Sequence, residues 1–427
     1  MRELRTMAGV ATGIALIACL VAAPAAQALG FTGLQAAPDD TAAGAHSDFH
    51  VSIGFTTPGD DVKDLTIHLP PGMIGNPTAT PLCTAAELNG DTCPAASQVG
   101  TVSTTVAALG LLPLTVDGSI YNLDAMAGEP ARFGIVLRPV GGLLPKITMQ
   151  SGAQLRQSDF GLDTVLKDIP NTASGVPIDI QSMSLTLFGS AGSPPQPFMR
   201  NPTSCGTATT GFDATSYAHP ATTVSGGASF TPTNCAALPF SPTFRGIFGS
   251  VGTTPSKPPL TTTVLQDEGE AGLKSAQVVL PSDVGADNDV LNDQCLIADF
   301  QSGTCPPNSI IGSVRATSPL LTSPLKGKVA LVVPPLPPRL GLDLKGQLSM
   351  QIFGRFVFTP DGPGNLFDTL PDIPISNFTL KFKANKLISS ARDLCQLPKP
   401  RFKTEFHAFS GAVQTGTVAA RVTGCPG

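Results

Sequence analysis

Cysteines are the residues of this 427-residue chain best placed to do chemistry, and eight of the nine stand at repeated spacings. Nine residues lie between Cys83 and Cys93 and again between Cys295 and Cys305; twenty-nine lie between Cys205 and Cys235 and again between Cys395 and Cys425. Thiols in such a pattern could ligate a metal or oxidise in pairs. Zinc modules use short Cys-x-x-Cys knuckles, which these spacings lack, so bridges are the expected chemistry. A repeated ladder also marks a tandem duplication, each copy closing a small loop and then a larger one. Joining Cys83 to Cys93, Cys205 to Cys235, Cys295 to Cys305 and Cys395 to Cys425 needs the least long-range order among about 105 connectivities. A crossed scheme, Cys83 with Cys205 and Cys93 with Cys235, repeats equally well, and the spacing does not choose between them. The expected role is structural, worth ~3 kcal/mol for each short loop and somewhat more for each long one.

The remaining reactive residue types yield little. His46, His50, His68, His219 and His407 show no metal-ligand spacing, and His46 and His50, four apart, fall in a linker entering a strand, where no helix brings them onto one face. Asp283, Asp287, Asp289 and Asp293 form one acidic cluster, but it lacks the glycine and closing glutamate of a calcium loop. The matching stretch of the first copy, 72–81, has no acids, so a solvated loop is expected. Asp159-Phe160-Gly161 echoes a kinase magnesium motif without the accompanying glycine-rich and catalytic loops. Gly249-Ser250-Val251-Gly252 lacks the spacing of a nucleophile elbow. No catalytic residue, cofactor or metal site is assigned. With no tryptophan and only Tyr121 and Tyr217, a stacking platform for sugars is disfavoured.

The elements that would position these residues are strands. Charged residues make up 13% of the chain against 41% hydrophobic, which argues for a folded core, and 44 glycines with 41 prolines interrupt helices at short intervals. A net charge of -5 without a basic, aromatic-interleaved stripe excludes nucleic acid as a partner. Alternating strands recur in both copies: Phe49 to Ile53 matches Leu260 to Val264, Leu65 to Pro70 matches Ala276 to Pro281, and Met183 to Leu187 matches Phe378 to Phe382. Arg132-Phe133-Gly134-Ile135 matches Arg339-Leu340-Gly341-Leu342. The best-preserved block runs from each short bridge, Cys93 to Val102 against Cys305 to Val314, where a proline and a later glycine are expected to set a turn. The offset between copies shrinks from 212 at the first cysteine pair to 190 at the second, leaving 22 extra residues in copy one; these are expected as loops within 139–174. The fold class is all-β: two tandem, separately closed, disulfide-bonded antiparallel β-sandwich-like domains at 29–238 and 239–427, joined near 238–242.

Several blocks together, Cys93 to Thr101, Tyr121-Asn122-Leu123 with Pro130 to Gly134, Ser158-Asp159-Phe160-Gly161-Leu162, and Phe198-Met199-Arg200-Asn201-Pro202-Thr203-Ser204-Cys205, resemble the uncharacterised exported Cys-containing repeat proteins of soil actinobacteria. The resemblance covers most of the chain beyond residue 28, although the second copy has no Tyr-Asn-Leu or Asp-Phe-Gly block. It implies export and a repeat architecture and assigns no catalytic residues.

Export is also read from the first 28 residues: Arg2 and Arg5, an apolar run from Met7 to Ala23, and Ala26-Gln27-Ala28 as a cleavage site. Leu16-Ile17-Ala18-Cys19 resembles a lipobox, the alternative in which the chain is a lipoprotein anchored through Cys19. The apolar run continues past Cys19, which favours plain secretion, and no later run reaches the ~18 apolar residues of a transmembrane helix. The function expected is a secreted or envelope-associated structural or interaction protein without catalytic activity, with other envelope proteins or an extracellular polymer as partners. The alternative is an exported ligand- or polymer-binding module, and a secreted hydrolase stands third. Mass spectrometry of the exported protein's N-terminus should find a chain starting after Ala28; a diacylated Cys19 as first residue would replace secretion with membrane tethering.

Overall fold

The structure, a computed structural model, describes residues 29–56, 60–108, 113–142, 145–173, 175–249, 256–397 and 399–425. The export segment with Cys19, and Ser250 with Val251, lie outside them.

Eleven strands build the first half: β1 (Gly30–Pro38), β2 (Phe49–Thr56), β3 (Val62–His68), β4 (Gln98–Ala108), β5 (Pro113–Leu123), β6 (Arg132–Leu137), β7 (Ile147–Leu155), β8 (Leu162–Leu166), β9 (Val176–Leu187), β10 (Ala208–Ser216) and β11 (Val224–Phe230). Eleven more build the second: β12 (Thr243–Phe248), β13 (Leu260–Leu265), β14 (Leu273–Val279), β15 (Ile310–Thr317), β16 (Leu325–Val333), β17 (Arg339–Lys345), β18 (Ser349–Thr359), β19 (Gly362–Phe367), β20 (Asn377–Phe382), β21 (Arg401–Ala408) and β22 (Val413–Ala419). The first set hydrogen-bonds in the order β1-β2-β9-β4-β5-β6-β7-β8-β3-β10-β11. Adding eleven to each label gives the order of the second, so the duplication extends from cysteine spacing to every ladder among these strands. These ladders are antiparallel.

Each half is one sheet that folds over on itself. In β2, Phe49, Val51, Ile53 and Phe55 are buried and His50 is exposed, the period-two pattern of a strand with one dry face. Inward side chains from all eleven strands then meet in one core per half. The two ends of the path also meet. Phe31 of β1 lies 6.3 Å from Phe212 of β10, and Phe248 of β12 stacks on Phe402 of β21 at 5.6 Å.

Where the chain leaves each short bridge, the turn is made differently from expectation. A 3-10 turn, Ala95–Ser97 or Pro307–Ser309, is closed by a serine hydroxyl donating to the proline carbonyl, Ser97 to Pro94 at 2.6 Å and Ser309 to Pro306 at 2.8 Å. Gly100 and Gly312 instead sit at bulges in β4 and β15. A Cβ there would strike the carbonyl oxygen of Thr186 or Lys381 on the next strand, so glycine permits close approach within the sheet.

The segment 139–174 is also not loop. It contains β7 and β8, which have full counterparts in β18 and β19. Ladder partners show the offset falling from 207 at Gly134/Gly341 to 203 at Ser151/Gly354, 201 at Thr164/Asn365 and 195 at Leu187/Phe382, so the extra residues are spread over several connections.

The halves, whose bridges all lie within a copy, also touch one another. The turn holding Asp159-Phe160-Gly161 puts Phe160 at φ 60° and buries its ring in the core of the second half. Gln157 beside it donates to the Ser349 carbonyl at 3.0 Å. At a second point of contact, Asp372 accepts from the Thr203 amide at 2.7 Å and the Thr203 hydroxyl at 2.5 Å, and that hydroxyl oxygen accepts from the Gly272 amide at 3.0 Å. Nearby, Arg200 donates to the Glu270 carbonyl at 3.0 Å.

One element was not legible at all. The loop within each short bridge carries a one-and-a-half-turn helix, α1 (Ala85–Gly90) and α2 (Ile297–Ser302). Leu88 of α1 sits over Gly134, and Phe300 of α2 over Gly341, on the outer side of the sheet. Added methyl groups would approach these side chains at 2.6 and 2.7 Å. Gly134→Ala and Gly341→Ala should each destabilise by about 1–3 kcal/mol through overpacking. Gly206→Ala, facing open space, should stay within about 0.5 kcal/mol of the wild type. Denaturant unfolding checks this ordering, and equal midpoints for all three variants would contradict the seating.

Candidate functional site

The predicted cysteines pair within each half. Cys83 meets Cys93 and Cys295 meets Cys305 at Cα separations of 5.2 and 5.4 Å; Cys205 meets Cys235 and Cys395 meets Cys425 at 5.9 and 5.6 Å. Their placement gives each a job. The short bridges close the loops of α1 and α2 and are buried on one side, Cys83 and Cys295 being fully inaccessible. The long bridges clamp the roots of the hairpins β10–β11 and β21–β22. As disulfides, these eight sulfurs offer neither a nucleophilic thiolate nor a metal ligand.

The acidic cluster is partnered by cations. Lys257 contacts Asp287 and lies 2.9 Å from Asp289, Lys386 lies 3.1 Å from Asp293, and Arg392 lies 3.5 Å from Asp283. Asp287 also caps the 3-10 turn Asn288–Asn292 by accepting from the Asp289 amide. Among the described residues no three His, Cys, Asp or Glu side chains converge as metal ligands.

Two histidines stand in arrangements that resemble catalytic ones. His50 lies between the Thr186 hydroxyl and the Asp39 carboxylate, 3.0 Å from each, in nucleophile-base-acid order. His50, on the outer face of β2, and Asp39, just past the end of β1, are 48% and 68% exposed, so bulk water reaches the pair and no wall orients a substrate. His68 is held at both nitrogens, Nδ1 by Asp163 at 2.8 Å and Nε2 by Asp213 at 3.1 Å. Ser225 donates to the same Asp213 at 2.6 Å, which places the carboxylate, not the base, between serine and histidine. Arg156 joins Asp163 to Asp159 and completes the charge balance.

An apolar space recurs at the same place in both halves. Inside each half a cavity opens between the inward faces, about 80 Å³ in the first and about 130 Å³ in the second. Equivalent ladder positions line both: Phe49 and Leu260, Leu69 and Leu280, Leu166 and Phe367, Leu187 and Phe382, Met199 and Ile388. This site was invisible in the sequence, because its wall draws up to four residues from each of many distant strands. The one signal was Phe198-Met199-Arg200-Asn201-Pro202-Thr203-Ser204-Cys205, now resolved into parts. Phe198 and Met199 line the first cavity, Arg200 and Thr203 face the second half, Asn201 donates to the carbonyls of Asp40 and Ala42, and Cys205 begins the long bridge.

No family model and no curated protein matches the chain. Among solved structures it is similar to the C-terminal domain of the AgI/II polypeptide BspA of Streptococcus agalactiae, at 7% identity over 91% of this chain and 99% of that one, with a TM-score of 0.22. It is also similar to the type II cohesin dyad of the adaptor ScaA scaffoldin of Acetivibrio cellulolyticus, at 10% identity over 91% and 96%, with a TM-score of 0.19. Scores this low do not establish a shared strand order.

Burial opposes a charge on His68, but the hydrogen bonds to Asp163 and Asp213 outweigh it, and its pKa is raised above 6.5. Only the imidazolium can donate from both nitrogens. The stabilisation is therefore complete below about pH 6.5 and is lost as pH rises through the raised folded value. His68→Gln should show a shallower fall in stability above pH 6.5 than the wild type in denaturant melts across pH. Parallel curves would remove His68 as the titrating group.

Proposed function

We propose that the chain is an exported envelope or extracellular protein with a structural or interaction role and no catalytic activity, built from two β domains at 29–238 and 239–427. The observation that carries this reading is how its reactive groups are disposed. Eight cysteines brace the folds, the acids facing His68 and Arg156 neutralise them, and the enclosed cavities present no nucleophile-base pair among the described residues. Four disulfides suit an oxidising exterior, and no helix among the described residues is long and apolar enough to cross a membrane. Secretion after Ala28 is the proposed route, with anchoring through Cys19 as its alternative. Envelope proteins or an extracellular polymer are the proposed partners.

A second reading, an exported ligand-binding module, is favoured by the duplicated cavities, since small-molecule sites are concave and mostly apolar with few polar groups. The hydrolase reading loses ground, because the one triad-ordered histidine lies on an open sheet face.

Fractionation of expressing cells and medium, with thiol alkylation before any reduction, tests the first reading. The protein should appear in the envelope or medium with eight cysteines unreactive. A cytosolic pool with freely alkylated cysteines would overturn it.

A further inference from the structure

We infer that the outer face of the second half binds a linear acidic polysaccharide through a stripe of cations. This partner deepens the exported-protein reading, on which it rests, by giving the extracellular polymer a charge and a place.

The stripe is built by register. Five neighbouring strands, β12, β13, β20, β15 and β16 in sheet order, contain no aspartate or glutamate and carry Arg245, Arg315, Lys326, Lys328 and Lys381. All five cations are exposed, at strand positions that alternate with buried residues such as Phe244, Val314, Val329 and Leu380. In one row across the sheet, Arg245, Thr263, Thr379, Arg315 and Lys326 lie opposite one another in turn. In the next row, Lys381 faces Ser313 and Ser313 faces Lys328. With neighbouring strands ~4.8 Å apart, the first row spans about 19 Å. Among the described residues none of these cations lies within salt-bridge distance of a carboxylate. The acid that flanks them in register, Asp343 opposite Lys328, is taken by Lys345 at 3.1 Å and by Gln351 at 3.4 Å.

The first half shows the same face without this charge. At the matching positions stand Gln35, Ser103, Asp117, Ser119 and Thr186, and the Ser103 hydroxyl donates to Asp117 at 2.8 Å. Its corresponding strands, β1, β2, β9, β4 and β5, contain no lysine or arginine. The fold therefore does not require cations here. Arg315 directly opposite Lys326 is a like-charge pair that destabilises a sheet, and an anion lying between them removes that cost.

Shape and donors then define the occupant. Ser313, Arg315, Thr317, Lys326, Thr379 and Lys381 line a furrow of about 470 Å³, so hydroxyl groups stand between the cations. A carboxylate matches the guanidinium fork and the lysine ammonium groups, and the hydroxyls can exchange hydrogen bonds with sugar hydroxyls. Recognition of the sugar thus rests on charge and hydroxyls in place of ring stacking. A row longer than one sugar unit suits a chain of repeated charges. No exposed large apolar side chain lies on these strands, so the face has nothing to insert into a lipid surface and no ring on which a base could stack.

Polygalacturonate, neutral dextran, phosphatidylglycerol vesicles and duplex DNA, each titrated against the full folded chain, test the assignment. Polygalacturonate should bind with saturation and dextran should not, and the affinity should fall about tenfold between about 50 and about 200 mM salt. Lys326→Asp should weaken binding about tenfold or more. Lys274→Asp makes the same charge change at an exposed position on β14, four ladders from β16, and should leave binding nearly unchanged. Arg315→Ser, Lys326→Asp and Lys381→Thr together install the residues that the first half carries in the same framework, and should abolish binding. If this triple variant does not fold, Arg315→Ser and Lys381→Thr singly should each weaken it. Absence of saturable polygalacturonate binding to the wild type, equal losses from Lys326→Asp and Lys274→Asp, or tighter binding of vesicles or DNA than of polygalacturonate would overturn the inference. Binding to the purified chain is blind to cellular location, so its failure is separable from failure of the exported-protein reading, which fractionation decides.

Discussion

Each half of this molecule depends on drying one face of a single large sheet, of twelve strands in the first half and thirteen in the second, by folding that sheet over on itself. With so few charged and aromatic residues, the chain gains its stability mainly from aliphatic side chains and phenylalanine packed between the two layers. The sheet must curl sharply enough for its first and last strands to meet, and the ring contacts of Phe31 with Phe212 and Phe248 with Phe402 mark that closure. The glycine bulges at Gly100 and Gly312 occur in matching strands, which is consistent with a shared need for local twist. An imperfectly closed interior leaves space, and the cavities are found in that space.

Much of this plan was written in residue spacing. The duplication, the all-β class and the matching of β2, β3 and β9 with β13, β14 and β20 could be read because bridges repeat at fixed intervals and half-buried strands alternate. The strand β8 escaped because most of its residues are only partly buried and do not alternate, whereas β7 alternates through Ile147, Met149, Ala153 and Leu155 but lies in the segment to which the extra residues of the first copy were assigned. The helices within the short bridges escaped because six residues are too few to display a helical period. Phe160 could not be assigned to a contact from its own segment, since its partners lie in the other half.

Comparison of the copies shows how one framework tolerates different fillings. In the outer cluster of the first half, Leu88 packs with Tyr121; in the second, Phe300 packs with Ala330, the residue in the place of Tyr121. The large ring has moved from sheet to helix, and Phe353 of β18, in the register place of Gln150, packs beside it at 5.3 Å. The seam between halves shows a different compromise. Burial pushes the Asp372 carboxyl up, against the two hydrogen bonds from Thr203, and pushes the Arg200 guanidinium down. Buried ionisable groups of this kind are weak sources of stability, but removal of one partner is costly, which ties the relative placement of the halves to Thr203 and Asp372.

The long bridges also determine how the molecule would carry mechanical tension. A pull arriving at Cys425 passes through sulfur to Cys395 and enters the fold there, so the hairpin β21–β22 lies outside the load path. The same shunt protects β10–β11 through Cys235 and Cys205. Under oxidising conditions neither hairpin can be unzipped to lengthen the chain, and extension must begin by breaking hydrogen bonds elsewhere in the sheet.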